Sequence, residues 1–124
     1  MIIVLFIIGI GSGAIGSILM KAGAIQIGHV EINSIGQALS FLFHVFTNIA
    51  CLGGIGLYFF SALIWQYLLT KLPISYVQPI LALTYVATPV LAMFFLGEQV
   101  PAIRWLGIAI IILGVYIVAK TTTA

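Results

Sequence analysis

The stretch Leu72–Ala119, LPISYVQPILALTYVATPVLAMFFLGEQVPAIRWLGIAIIILGVYIVA, decides how the chain folds. It holds two long apolar runs. They are joined by Gly97-Glu98-Gln99-Val100-Pro101, a hinge that carries a carboxylate and a helix breaker. About 20 apolar residues suffice for a helix to cross the roughly 30 Å hydrocarbon core of a bilayer. The stretch therefore reads as a transmembrane hairpin. The composition agrees: of 124 residues, 64% are hydrophobic and 5% charged, and the mean hydropathy is +1.35. A soluble domain carries about 25% charged residues to cover its surface. Four basic and two acidic side chains cannot do that, so lipid is the expected solvent. The net charge of +2 is too small to point to nucleic acid.

Outward from the hairpin, the rest of the chain reads as two more spans and a polar connection. The first span is expected over residues 2–24. No basic segment precedes Ile2, so this run reads as a permanent helix rather than a cleaved leader. Gly9, Gly13 and Gly16 recur at helical spacing and thin one face, the small-residue pattern that lets membrane helices approach closely. Gly13, Ser17 and Lys21 stand four apart and share a stripe. Lys21 either snorkels to the interface or, at the end of a small polar groove, holds a phosphate.

The connection at residues 25–36 is polar, with Asn33 or Ser34 placed to cap the next helix. Residues 34–47 mix Ile35, Leu39, Leu42, Phe43 and Phe46 with Gln37, Ser40 and His44. This pattern fits either an interfacial helix or an early extension of the second span. That span is expected over residues 49–70. Tyr58, Ser61 and Trp65 share a face there, whose aromatics either sit in the aromatic belt at a membrane surface, as suits Trp65 and Tyr67, or line a cavity with the serine, as Tyr58 at mid-depth could. The short Lys71-Leu72-Pro73 turn makes the third span, residues 74–96, an antiparallel neighbour. Pro79 and Pro89 bend it. Its Ser75, Gln78, Tyr85 and Thr88 fall on one broad side, which fits a bundle interior or a substrate path, or else simple hydrogen bonding between helices. The last helix is expected over residues 102–120, where Gly107 and Gly114 stand seven apart and form one face suited to a neighbour. Thr121-Thr122-Thr123-Ala124 is a short tail.

The fold class is thus all-α: a single four-helix transmembrane bundle, paired as a dimer to enclose a path. Cys51 is the one cysteine, so a disulfide framework and a cysteine metal site are excluded, and it reads as a buried packing residue. His29 and His44 are too far apart to define a metal site. No cofactor or metal is expected. Nothing pairs a nucleophile with a base or cradles a phosphate in a glycine loop, so the chain does not read as an enzyme. With four spans, Lys71 and Lys120 share the side of the N-terminus, and Lys21 and Arg104 fall on the other. That even balance gives little positive-inside bias. The expected placement is the inner membrane with both termini cytoplasmic.

The motifs carry a likeness. LPISYVQPIL, the Gly97-Glu98-x-x-Pro101 hinge, the WLGIAIIILGV helix and SILMK in the first span together resemble the drug/metabolite transporter superfamily, in its smallest, four-helix members. Two branches compete. Small multidrug resistance exporters exchange protons for lipophilic cations through a first-helix glutamate. That position is Gly13 here, and their third-helix tyrosine and tryptophan fall at Gln78 and Leu81. The sequence is more similar to the subunits that flip undecaprenyl-phosphate-linked sugars, such as the aminoarabinose flippase. That resemblance implies a carrier of a lipid-linked sugar phosphate. Lys21 and Arg104 would attract the phosphate. Glu98 would pair with Arg104 or meet an amino sugar. Gly13 and Gly16 would open a groove lined by Ser17, Gln78 and Tyr85. The implied partners are membrane lipid and a second four-helix subunit, like or unlike, with the Gly107/Gly114 face as the contact. A cation exporter and a non-transporting accessory subunit are the alternatives.

Overall fold

Glycine decides which helices meet. In the computed structural model, which describes residues 1–121, α1 (Ile2–Ile27) and α3 (Ile49–Leu69) pack antiparallel. The last three residues of the threonine tail lie outside the described residues. Gly9 lies against Ile64 and Trp65, Gly13 against Ser61, and Gly16 against Gly54. A Cβ on Gly16 would stand 2.9 Å from the Gly54 carbonyl, and one on Gly54 would stand 2.6 Å from the Gly16 carbonyl. At Gly23 an added Cβ would collide with the Cys51 sulfur. The contact is therefore backbone against backbone. Lipid tails are as apolar as leucine, so close packing of this kind is what holds such helices together. Ser61 adds a buried bond, its Oγ donating to the Gly9 carbonyl at 2.8 Å.

α1 runs three residues past the expected end at residue 24, to Ile27, and stops at Gly28 with φ 83°. The segment expected either as an interfacial helix or as part of the second span is a separate helix, α2 (Ile35–Thr47). Ser34 caps it, its Oγ accepting from the Gln37 N–H at 3.3 Å. Gln37 in turn accepts from the Asn33 N–H at 2.6 Å. Asn48 separates α2 from α3, with extended backbone at φ −91° and ψ 121°. Its Oδ1 accepts from the Cys51 N–H at 3.0 Å, and its Nδ2 donates to Gln26 Oε1 at 2.9 Å.

The helix expected over residues 74–96 is broken rather than merely bent. It comprises α4 (Ile74–Leu81), α5 (Thr84–Leu91) and a π-helical turn, Ala92–Leu96. Around the break the ladder tightens to i→i+3 bonds: Ala82 N–H to the Pro79 carbonyl, 3.0 Å, and Leu83 N–H to the Ile80 carbonyl, 3.0 Å. Pro79 has no N–H to give, so the regular ladder is already interrupted one turn earlier. The π turn closes at Gly97, whose φ of 67° suits glycine. Pro101 then caps α6 (Ala102–Ala119).

Among the described residues every regular element is helical, and four stretches are long and apolar enough to cross a membrane: Ile2–Ile27, Ile49–Leu69, Ile74–Leu96 and Ala102–Ala119. Six of the large buried side chains gather at one end of the bundle. Phe6, Ile64, Leu68, Val77, Ile80 and Val115 form the core there, beside the turn that holds Lys71. Phe6 stacks tilted on Trp65 at 5.7 Å and edge-on to Tyr76 at 6.4 Å. Toward the other end α1 and α3 touch through Gly16, Gly23, Gly54 and Cys51. α6 rests on α4 and α5, and a Cβ on Gly107 or Gly114 would meet nothing within 4 Å beyond its own stretch of helix.

Candidate functional site

The close approach of α1 to α3 turns one face of α3 toward α5. Tyr58, Ser61 and Trp65 stand on that face, three and four residues apart. They meet Gly13 of α1 and Thr84 and Tyr85 of α5 around a pocket of about 190 Å³. Gly13 lies midway along α1, so the pocket sits at mid-depth of the spans. Its polar groups are hydroxyls and one indole. The Ser17 Oγ donates to the Gly13 carbonyl at 3.0 Å and lies 2.7 Å from the Tyr58 hydroxyl. With the serine proton committed to the carbonyl, Tyr58 is the donor in that pair, and its oxygen keeps a free lone pair. Ser61 spends its proton on the Gly9 carbonyl. Tyr85 is 66% exposed, so the pocket opens outward on its side.

No charged side chain lines the pocket. Gly13 offers only backbone to the pocket. Such a lining suits a neutral ligand rich in hydroxyls, with aromatic faces for its C–H groups. A phosphate would have to surrender water without receiving a countercharge there.

The other residues singled out from the sequence lie elsewhere. Lys21 is exposed, eight residues beyond Gly13 on α1, which is about 12 Å along the axis. Arg104 and Glu98 are exposed at the same end of the bundle. Among the described residues the single contact within 4 Å between a basic and an acidic side chain is His29 Nε2 to Glu31 Oε1 at 3.7 Å, so Glu98 and Arg104 are not paired. Both groups stay hydrated, and an exposed pair would gain little by forming. Gln78 is exposed and does not line the pocket. Gly16 opens no groove, because the Gly54 backbone fills the space beside it. Ser17 acts at one remove, through Tyr58.

Trp65 corrects a further expectation. It is a half-buried wall of the pocket against Phe6 and Gly9, not a free belt residue. The shared spacing of Tyr58, Ser61 and Trp65 was the legible signal for that wall. Thr84 carries no comparable signal, since a lone threonine in an apolar run is common in membrane helices. Among the described residues no group of three His, Cys, Asp or Glu is placed to hold a metal.

Four apolar spans, three of which line a small mid-depth pocket, define a multi-pass helical membrane protein. The chain belongs to the EamA-like transporter family, whose profile matches residues 1–120. Among curated proteins it is 38% identical over 68 residues to a probable 4-amino-4-deoxy-L-arabinose-phosphoundecaprenol flippase subunit, ArnE, of Pectobacterium atrosepticum. That match covers 55% of this chain and 56% of the relative. The Proteus mirabilis protein of the same description is 33% identical over 87 residues, covering 70% of this chain and 72% of the relative. A Yersinia pseudotuberculosis counterpart is 37% identical over 57 residues, 46% and 50% of the two chains. The chain thus spans only 50–56% of the length of two of these three relatives. No solved structure matches it. The resemblance to the drug/metabolite transporters, read from the hinge and the helix motifs, is borne out.

Proposed function

We propose that the chain is a flippase subunit that moves a polyprenyl-phosphate-linked sugar head group across the inner membrane, with both termini cytoplasmic. The observation that carries this reading is the uncharged, hydroxyl- and aromatic-lined pocket at mid-depth, with glycine where a proton-coupling acid would stand. A sugar ring offers hydroxyls for Thr84 and Tyr85, and C–H faces for Tyr58 and Trp65. The relatives, described as flippase subunits for a phosphoundecaprenol-linked aminoarabinose, point to the same class of cargo. The polyprenyl tail stays in lipid throughout, so only the head group needs a polar route.

On this reading Lys21 and Arg104 form a first station, which draws the phosphate to one end of the bundle. The pocket, about 12 Å further along α1, is a second station for the sugar. Glu98, beside the first station, meets the amino group of an amino sugar. One chain cannot enclose the route, because Tyr85 leaves the pocket open. A second four-span subunit, like or unlike, closes it through the Gly107/Gly114 face. The chain changes no covalent bond and needs no cofactor.

The three aromatic rings at the pocket also suit an organic cation, which keeps an exporter as the rival outcome. The test is transverse movement in reconstituted vesicles. A polyprenyl-phosphate amino sugar should become accessible to an impermeant amine reagent faster with the chain present, alone or with a co-encoded subunit. Lys21→Ala with Arg104→Ala should slow this at least tenfold. Proton-coupled uptake of a quaternary ammonium dye, with no movement of the lipid, overturns the proposal.

A further inference from the structure

The segment between α1 and α3 carries a face that the bundle leaves uncovered. α2 has 13 residues, about 20 Å at 1.5 Å per residue, too short to cross a roughly 30 Å core. Its two neighbours, α1 and α3, run antiparallel and so meet at one edge of the bundle. Gln26 near the end of α1 is tied to Asn48 at the start of α3 at 2.9 Å. Asn48 alone separates α2 from the spanning helix α3. α2 is therefore held at the level where two spans leave the hydrocarbon.

Its side chains divide among three faces. Phe41 and Val45 are half-buried and close an apolar cavity of about 450 Å³ against α1 and α3. Leu39, Leu42, Phe43 and Phe46 form a second face, and all are exposed, Phe43 by 67%. Gln37, Ser40 and His44 form a third, also exposed. At 100° per residue the apolar and polar faces flank the packed one, each about a third of a turn away. The packing on α1 and α3 thus fixes the roll of the helix and aims its two free faces apart.

We propose that α2 lies in the lipid–water boundary, with Leu39, Leu42, Phe43 and Phe46 among the acyl chains and Gln37, Ser40 and His44 among the head groups. Lipid is the occupant because of where α2 sits and what it carries. Its level is set by the adjoining spans, and its apolar face, too large to leave in water, lies where acyl chains begin. The helix contains no Lys, Arg, Asp or Glu. Its seating is driven by apolar area rather than by attraction to anionic lipid, unlike the common lysine-rich surface helices. It therefore holds equally in neutral and anionic membranes and at any ionic strength. The inference is independent of what the protein carries.

The test is spin labelling of the full-length chain in phosphatidylcholine vesicles, with and without phosphatidylglycerol, at low and high salt. Cysteine is introduced singly along α2 in a Cys51→Ala background. Labels at Leu39, Leu42, Phe43 and Phe46 should collide several-fold more with oxygen than with a water-soluble nickel chelate, and labels at Gln37, Ser40 and His44 the reverse. The pattern should not change with lipid charge or salt. Apolar-face labels shielded from both relaxants would mean that a protein covers the face, and would overturn the proposal. So would nickel access at those positions, or a pattern that appears only with phosphatidylglycerol. A second measurement needs no variant. An acyl-chain diazirine should label Leu39 and Phe43 of the unaltered protein and spare Ser40 and His44, and the absence of label from the whole of α2 also overturns it.

Discussion

At the scale of single residues, the missing Cβ atoms carry the fold. Gly16 and Gly54 bring two backbones to a distance that any side chain would forbid. Gly54→Val should therefore lower stability by about 1–3 kcal/mol, as overpacking does elsewhere, read by unfolding in mixed micelles. Gly56→Ala, two residues on, has open space around the new Cβ and should be neutral or slightly stabilising. Ser61→Ala should cost about 0.5–1 kcal/mol, because it removes the buried bond from α3 to the Gly9 carbonyl of α1. The sequence shows Gly53, Gly54 and Gly56 as a cluster but does not rank them. Only the phase of α3 against α1 makes Gly54 the buried one and leaves the other two exposed. The same phase turns Trp65 inward, where its position near a helix end had pointed to the membrane surface. Phase depends on the partner helix, and one chain's spacing does not contain it.

At the scale of elements, hydropathy locates the spans, and side-chain chemistry locates the breaks between them. Length and apolar content suffice to find four crossing stretches, because every backbone group in lipid must be paired within its own helix. Ser34 as a cap is legible for the same kind of reason: a hydroxyl before an apolar run. Asn48 is harder to read, since α2 and α3 run on in sequence with similar hydropathy. The break forms because one side chain both caps α3 and holds Gln26. Asn48→Ala should remove both contacts and cost about 1–2 kcal/mol. Hydrogen exchange should rise over residues 45–52 and stay unchanged at the distant Lys71 turn. The two prolines of the third span give warning of a bend, yet the break falls at Ala82–Leu83 between them. The break lies one turn beyond Pro79, where the Pro79 and Ile80 carbonyls take i→i+3 donors instead of the regular ones.

At the scale of the whole molecule, one chain leaves α6 half-covered. A Cβ on Gly107 or Gly114 would meet nothing beyond its own stretch of helix. Gly107→Leu with Gly114→Leu should therefore leave the unfolding midpoint of the isolated chain within about 0.5 kcal/mol of the original, as for surface changes. Association in bilayers, measured by energy transfer between labelled copies or with a co-encoded subunit, should weaken at least several-fold. If association is unchanged, another face of the bundle makes the contact. The charge distribution, even on the two sides, gave no direction for insertion from sequence, and four basic groups leave little to add.

Six large side chains lock together at one end of the helices, and at the other α1 and α3 meet through close glycine contacts and the bond between Gln26 and Asn48. Loosening either end therefore calls for the opposite kind of change, a smaller side chain among the first set and a larger one among the second.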